Sequence, residues 1–215
     1  MIGIVILNYN TFEDVVDCVS SIRASTHTEY KIYIVDNMST DDSFMNLSDE
    51  FENRNDVIII SSDKNGGYSY GNNIGIKAAI QDGCDYILIS NPDIVYYDSA
   101  IDEMKNYLVE HDDVAIVGPS CKSLDAEESQ LFRKVYTDKL YTFSRKPLSV
   151  FAKIFKSLRT EYDKPDGDDF VFNGMVRGCC FLLSSETFEK IEFFDANVFL
   201  YAEEWILAKK ITDLG

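Results

Sequence analysis

Short apolar runs alternate along this chain with stretches whose apolar residues recur at helical spacing. Residues 2–7 are apolar and lead into Asn8-Tyr9-Asn10, residues 31–35 (KIYIV) lead into Asp36-Asn37, and residues 57–62 form a further short run. The fourth, Tyr86-Ile-Leu-Ile89, has the continuous apolar character of a strand buried on both faces and ends in Asn91-Pro92-Asp93. Between the first two runs, Thr11 predicts an N-cap, with Asp14 at the capping-box position and Val15, Val16, Val19 and Ile22 on the inner face of a helix. Residues 44–51, 73–80 and 101–108 predict the next helices. Strand and helix thus alternate at least four times, which specifies an α/β domain with a mostly parallel central sheet flanked by helices. Ligands of such sheets bind beyond the carboxyl ends of the strands, so Asn8, Asn10, Asp36 and Asp93 are expected on one rim.

Two segments carry candidate chemistry. Pro92 cannot donate to a ladder and stops its strand, leaving Asp93 on a turn where a carboxylate reaches a hard cation such as Mg²⁺ or Mn²⁺. The competing reading is an Asx-type turn in which Asp93 caps the next stretch of backbone. The second segment is Lys64-Asn65-Gly66-Gly67-Tyr68-Ser69-Tyr70-Gly71-Asn72-Asn73. Its paired glycines let backbone approach a ligand closely, and the free N–H groups of the helix it leads into suit a phosphate or a sugar hydroxyl. The spacing is neither GxGxxG nor GxxxxGK[ST], which argues against a dinucleotide fingerprint and a P-loop. As a lone feature it reads more readily as an ordinary turn than as a ligand loop.

Composition narrows the class. With 215 residues, 46% of them apolar, the chain buries a full core, and a single domain over 1–215 is expected. The formal charge of −17 disfavours nucleic acid as a partner. The five cysteines, 18, 84, 121, 179 and 180, form no CxxC pair and read as reduced thiols of a cytoplasmic protein, the adjacent Cys179 and Cys180 having packing roles. His27 and His111 join no ligand-like cluster, so no structural zinc is expected. Met1 begins a strand without a charged leader, and no run approaches the ~20 apolar residues of a membrane span. One stretch reverses the charge: residues 145–159, from Arg145 to Arg159, hold basic residues and no acidic one. Leu148, Phe151, Ile154, Phe155 and Leu158 fall on one helical face there, with Lys153, Lys156 and Arg159 largely off it. The preferred reading is an amphipathic helix packed on its own domain; the other is peripheral contact with anionic lipid at the inner face of the membrane.

The stretches IVILNYN, IYIVDNMSTDDS, DKNGGYSYGNNIGIKAA, DYILISNPDI, VAIVGP and FFDANVFLYAEEW, in that order, resemble a family 2 glycosyltransferase of the GT-A fold, in particular its bacterial rhamnosyltransferase-like branch. The resemblance implies a hexosyl- or deoxyhexosyl-transferase of surface polysaccharide synthesis, with a nucleotide-diphospho-sugar donor and a saccharide or lipid-linked saccharide acceptor. It implies that Asn8, Asn10 and Asp36 line the pocket for base and ribose, that Asn65, Gly66, Gly67, Asn72 and Asn73 border the donor, and that Asn91-Pro92-Asp93 stands in for the family's Asp-x-Asp metal motif. Asn91 replaces the first Asp, which makes Asp93 the principal metal carboxylate for Mg²⁺ or Mn²⁺.

A sugar transfer also needs a base for the acceptor hydroxyl. The candidates are Glu203 and Glu204 in FLYAEEW; related enzymes have Glu-Asp here, with the second carboxylate as base, which favours Glu204. Consecutive helix residues point about 100° apart, so at most one of the two faces the reacting centre. The bland alternative is a pair of solvated glutamates in the first turn of a helix. Ile206 and Lys210 stand where the family commonly has an acidic residue and an arginine. The chain also closes at Gly215, earlier than related transferases, which reads as a short C-terminus. The rival classes are a nucleotidyltransferase, for which Asn8-Tyr9-Asn10 lacks the expected Gly, Arg and Lys, and a non-catalytic nucleotide-sugar-binding protein.

Overall fold

The computed structural model describes residues 1–119, 133–134 and 174–214. The chain divides into two compact units, Met1–Pro119 with Arg177–Gly215, and Ser120–Val176. Of the second, the described residues give a small antiparallel pair, β6 (Arg133–Lys134) with β7 (Gly174–Met175). The basic stretch 145–159 and Cys121 lie outside the described residues.

The first unit runs β1 (Ile2–Asn8), α1 (Phe12–Ser25), β2 (Tyr30–Asp36), α2 (Ser43–Glu50), β3 (Val57–Ser61), α3 (Gly67–Gln81), β4 (Tyr86–Ser90), α4 (Ala100–Glu110) and β5 (Ile116–Val117). After the second unit it resumes with β8 (Cys180–Ser184), α5 (Ser185–Lys190) and α6 (Glu203–Thr212). The strands form one sheet in the order β3-β2-β1-β4-β8-β5, in which β3, β2, β1 and β4 are parallel and β8 runs antiparallel to both its neighbours. The sequence expectation of a mostly parallel α/β sheet is therefore met.

The strands read as apolar runs because both faces are covered. On one face Ile2, Ile4, Ile6, Ile32, Ile34 and Leu88 pack with Val15, Val19 and Ile22 of α1, Leu47 of α2, and Ile101 and Met104 of α4. On the other, α3 lies close against β1 and β2: a Cβ on Gly71 would stand 2.3 Å from Leu7, and one on Gly75 2.5 Å from Val5 and 3.0 Å from Val35. Only hydrogen at these positions lets the helix sit so near the sheet, and each full burial of a Val or Ile in such a layer contributes about 1.5–3 kcal/mol.

Two local expectations change. Thr11 does occupy the N-cap of α1, but its side chain makes no capping bond to the helix. Its hydroxyl instead donates to Asn8 Oδ1 (2.9 Å), so the capping box with Asp14 does not form. The helix expected at 73–80 begins at Gly67, so most of the Gly-rich segment is helix rather than loop. The reason is the close packing of α3 on β1 and β2, which recruits Gly71 into a helix despite its poor intrinsic propensity.

Candidate functional site

Register sets the rim. Asn8 is level with Asp36, and Ile6 with Ser90, so the ends of β2, β1 and β4 come out together at the carboxyl edge of the sheet. Asn8 is wholly buried, and its amide is fully engaged: Nδ2 donates to Asp36 Oδ1 (2.7 Å) and Ser39 Oγ (3.1 Å), while Oδ1 accepts from Thr11 N (3.2 Å) and Thr11 Oγ1. Asp36, also buried, takes further bonds from the backbone N–H (3.0 Å) and hydroxyl of Ser39. Asn8 and Asp36 thus brace the rim from beneath. The exposed groups above them are Asn10 and Thr40, joined by a reciprocal pair: Asn10 Nδ2 donates to Thr40 Oγ1 (3.0 Å) and Thr40 N donates to Asn10 Oδ1 (2.8 Å). Asn10 holds a positive φ of 58°, a conformation that asparagine tolerates better than most residues.

Next along the edge stands Asn37, buried and absent from the sequence-based candidates. Its Nδ2 donates to Asn65 Oδ1 (3.0 Å), and its Oδ1 accepts from Gly66 N (3.3 Å), which ties the end of β2 to the start of α3. Gly67 N donates to Asn65 Oδ1 (3.3 Å), and Tyr68 N donates to Phe199 O (2.8 Å). The expectation of free N–H groups here is therefore corrected: those of Gly66 and Gly67 donate to the side chains of Asn37 and Asn65, and that of Tyr68 to the later loop at Phe199. Gly67 has φ of +81°, and a Cβ there would meet Phe199 O at 2.1 Å, so only glycine allows this contact. Asn65 remains exposed. Asn72 is buried with Nδ2 donating to Tyr68 O (3.0 Å) and its Oδ1 without a partner among the described residues. Asn73 is buried with its amide engaged by backbone: Nδ2 donates to Phe194 O (2.9 Å) and Oδ1 accepts from Phe194 N (3.0 Å), a bracket between α3 and the turn after α5.

At the end of β4 the backbone N–H of Asn91 donates to Cys179 O (2.7 Å). Beneath it lies a buried polar cluster in which Tyr96 donates its hydroxyl to Ser90 Oγ (2.8 Å) and contacts Cys180 Sγ (3.2 Å). Cys18 Sγ lies 3.7 Å from Ser90 Oγ, and burial pushes its thiol up to about 12, so it stays a neutral packing group. Asp93, in the turn after β4, is exposed. Among the described residues no three His, Cys, Asp or Glu side chains come together as a metal-holding group.

The glutamates open α6, preceded by Tyr201 and Ala202 at φ of 68° and 79°. The helix is pinned from its far end, where Lys210 Nζ donates to Ile191 O (2.9 Å) and Phe193 O (2.8 Å); this gives Lys210 a structural task at a position where related transferases commonly have arginine. Glu203 is buried, its Oε2 has no hydrogen-bond partner among the described residues, and burial, reinforced by the charge of Glu204, raises its carboxyl above the usual range. Glu204 is half-buried and accepts from Gly178 N (3.3 Å) at Oε1. The hydroxyl of Tyr68 donates to Gly178 O. Burial first, then the charges of Glu204 and Glu203, push that phenol well above its ordinary value, so it stays a donor.

The sequence profile described as Glycosyl transferase family 2 matches residues 3–183. The chain belongs to glycosyl transferase family 2. Among curated proteins, glycosyltransferase GlyG of Streptococcus pneumoniae serotype 4 (strain ATCC BAA-334 / TIGR4) is 29% identical over 119 residues, which cover 55% of this chain and 38% of that protein. Among solved structures, the mannosyltransferase PcManGT from Pyrobaculum calidifontis, in complex with GDP-Man and Mn²⁺, has a TM-score of 0.66 at 15% identity, covering 100% of this chain and 52% of that one. TarS 1-349 of S. aureus in complex with UDP-GlcNAc has a TM-score of 0.64 at 13% identity, covering 98% and 52%. The chain spans about half the length of these solved relatives and a smaller part of GlyG. The fold is GT-A, as the resemblance implied.

For this family 2 chain the donor set at the β4 end can be weighed against a divalent ion. A protein-only cage is missing among the described residues, but Mg²⁺ typically takes one or two carboxylates and completes its shell with water and substrate phosphates. An exposed Asp93 at a strand end, with Asn91 nearby, meets that requirement. Sequence reasoning missed Asn37, Ser39 and Gly178, and held Tyr68 only as part of the segment 65–73 bordering the donor. The first two lie inside the motif IYIVDNMSTDDS; Tyr68 and Gly178 meet across 110 positions, and no local pattern signals such a pairing.

Proposed function

We propose that this chain transfers a hexosyl or deoxyhexosyl unit from a nucleotide-diphospho-sugar to a saccharide or lipid-linked saccharide hydroxyl, in bacterial surface polysaccharide synthesis at the cytoplasmic face of the membrane. The observation that carries the reading is the bond from Tyr68 N to Phe199 O (2.8 Å), which joins the Gly-rich start of α3 to the loop that delivers Glu203 and Glu204. Donor-side and acceptor-side candidates thereby belong to one unit. Support comes from family membership and from neighbours that hold GDP-Man with Mn²⁺ or UDP-GlcNAc.

In this reading Asn10, Asn65 and the Gly66-Gly67 backbone border the donor, braced by Asn8 and Asp36 and flanked by Asn72, while Asn73 holds α3 in place. Asp93, with Asn91 beside it, would hold Mg²⁺ or Mn²⁺, which when bound neutralises charge on the diphosphate. Glu204 takes the proton of the acceptor hydroxyl as that oxygen forms its bond to the anomeric carbon. The bond from that carbon to the diphosphate oxygen breaks on the opposite side, and its electron pair leaves with the nucleoside diphosphate. Attack from that side inverts the anomeric configuration. Glu203 is the poorer candidate because its carboxyl is buried, away from the solvent side on which an acceptor hydroxyl arrives.

The test is a panel of UDP-, GDP- and dTDP-sugars scored by thermal shift with Mn²⁺ and with chelator, followed by donor turnover on the stabilising compound. Stabilisation with turnover is expected. Stabilisation without turnover, in transfer and in hydrolysis alike, would leave a nucleotide-sugar-binding protein; no stabilisation by any member would overturn the donor reading.

A further inference from the structure

We infer that Tyr68 and Gly178 form a clamp that positions the Glu204 carboxylate, with Gly178 providing the space that the longer side chain of glutamate requires. The inference rests on the proposal that Glu204 is the base. Its substance is a chain of contacts linking three separate parts of the sequence. The Tyr68 hydroxyl, on the second residue of α3, donates to Gly178 O, and the N–H of that same glycine donates to Glu204 Oε1 (3.3 Å). One residue thus has its carbonyl fixed by the donor-side helix and its amide turned onto the carboxylate. Tyr68 is itself held: its ring meets Phe194 edge-on at 5.9 Å, and its N–H bonds to Phe199 O.

The second half concerns size. A Cβ placed on Gly178 would lie 2.8 Å from Glu204 Oε1 and 3.1 Å from both Cδ and Cγ of the same side chain. Among the described residues nothing else comes so near. Gly178 does not have a positive φ, so alanine can adopt its backbone, and the side chain that must yield is Glu204. Glycine here is therefore required by the carboxylate rather than by the main chain. An aspartate at 204, one methylene shorter, has no atom at the Oε1 position, so the 2.8 Å approach to the added methyl is relieved and only the milder 3.1 Å crowding remains. Tyr68 and Gly178 are positioning residues: they act through Glu204 and are not assigned any contact with substrate.

The test uses the full chain, a nucleotide-sugar that it turns over, and the variants Tyr68→Phe, Gly178→Ala, Glu204→Gln, Glu204→Asp and the double variant Gly178→Ala with Glu204→Asp. Tyr68→Phe is expected to lower kcat about tenfold and Gly178→Ala about a hundredfold, each with donor KM within about twofold, since a misplacement near 1 Å costs roughly 10²-fold. The double variant is expected to exceed Gly178→Ala in kcat, a rescue that general loosening of the fold would not produce. Independently of turnover, the Gly178 amide proton shift should titrate with the Glu204 carboxylate in the wild type. That titration should vanish in Glu204→Gln and shrink in Tyr68→Phe. If Glu204→Gln keeps wild-type turnover, the base assignment fails, whereas the amide titration still decides the clamp. Wild-type kcat in Tyr68→Phe and Gly178→Ala alongside an inactive Glu204→Gln overturns the clamp, as do a double variant no better than Gly178→Ala or an amide titration unchanged by Tyr68→Phe.

Discussion

Asn8 donates its amide to the Asp36 carboxylate across 2.7 Å, and neither side chain reaches solvent. This bond joins the ends of two neighbouring strands at the carboxyl edge of the sheet. Replacing Asn8 with Ala leaves Asp36 and Thr11 without that partner in a buried setting, a loss of about 1–3 kcal/mol. For a chain of this length the melting point should drop by roughly 2–4 °C per kcal/mol, and nucleoside diphosphate binding should weaken with it. Thermal denaturation with and without UDP or GDP measures both; an unchanged melting point would mean that the brace is idle.

Asp93→Ala should leave the melting point of the free protein within experimental error, because the residue is exposed, and should abolish the extra stabilisation that Mn²⁺ gives in the presence of a nucleoside diphosphate. Equal diphosphate affinity with Mn²⁺, with chelator and in the variant would remove Asp93 from the metal site.

Glu204→Gln keeps the shape and removes the proton acceptor, so donor turnover should fall about 10²-fold or more with little change in donor affinity. Glu203→Gln should act on stability instead. The Glu203 carboxyl is raised above its ordinary 4.5, so the folded state binds the extra proton and stability declines as pH rises from there through the raised value. The glutamine has no charge to bury; the variant should melt higher than wild type above that window and show no such gain below it. Loss of turnover in Glu203→Gln with retention in Glu204→Gln would move the base by one residue.

Asp102 shows the opposite sign. Burial raises its carboxyl, but hydrogen bonds from Thr28 and His27, including the backbone N–H groups of Thr28 (2.7 Å) and His27 (2.9 Å), outweigh that and lower it below 3.8. Its contribution is present above pH 3.8 and lost as pH falls through the lowered value. Asp102→Ala should therefore cost about 1–3 kcal/mol at pH 7, with the gap to wild type closing in acid, as read from urea denaturation at several pH values.

Residues 145–159 carry a prediction on sequence alone. If they reach the membrane, wild type should co-sediment with anionic and not neutral vesicles at low salt, and reversing Lys153, Lys156 and Arg159 to Glu should abolish this, since each basic residue near such a surface is worth about 1 kcal/mol. Failure of wild type to co-sediment assigns the stripe Leu148, Phe151, Ile154, Phe155 and Leu158 to internal packing.

The sheet was legible because its strands are covered on both faces, and a continuous apolar run such as 86–89, bounded by polar turn residues, suits a doubly covered strand better than any exposed element. The Gly-rich segment was legible only as a place of close approach. Glycine admits a ligand and a neighbouring strand by the same lack of a Cβ, and sequence cannot tell Gly71 against Leu7 from Gly71 against a sugar. Asn73 shows the same ambiguity, since an amide that suits a donor also brackets the Phe194 backbone. Glu203 and Glu204 were legible as a pair from the resemblance. That one is buried and the other turned to Gly178 depends on how α6 is pinned by Lys210, a contact made 17 to 19 positions away.

The antiparallel pairing of β8 with β5 sets Ile116 opposite Leu183 and Val117 opposite Leu182. In connectivity, the chain leaves the sheet at β5 and re-enters it at β8 beside the point it left, so forming the sheet closes the intervening segment into a loop in the polymer sense. The entropy of closing such a loop grows only with the logarithm of its length, about 0.6 kcal/mol for each doubling. Residues 120–176 therefore stand at a position where the length of an insertion adds little to the cost of forming the sheet.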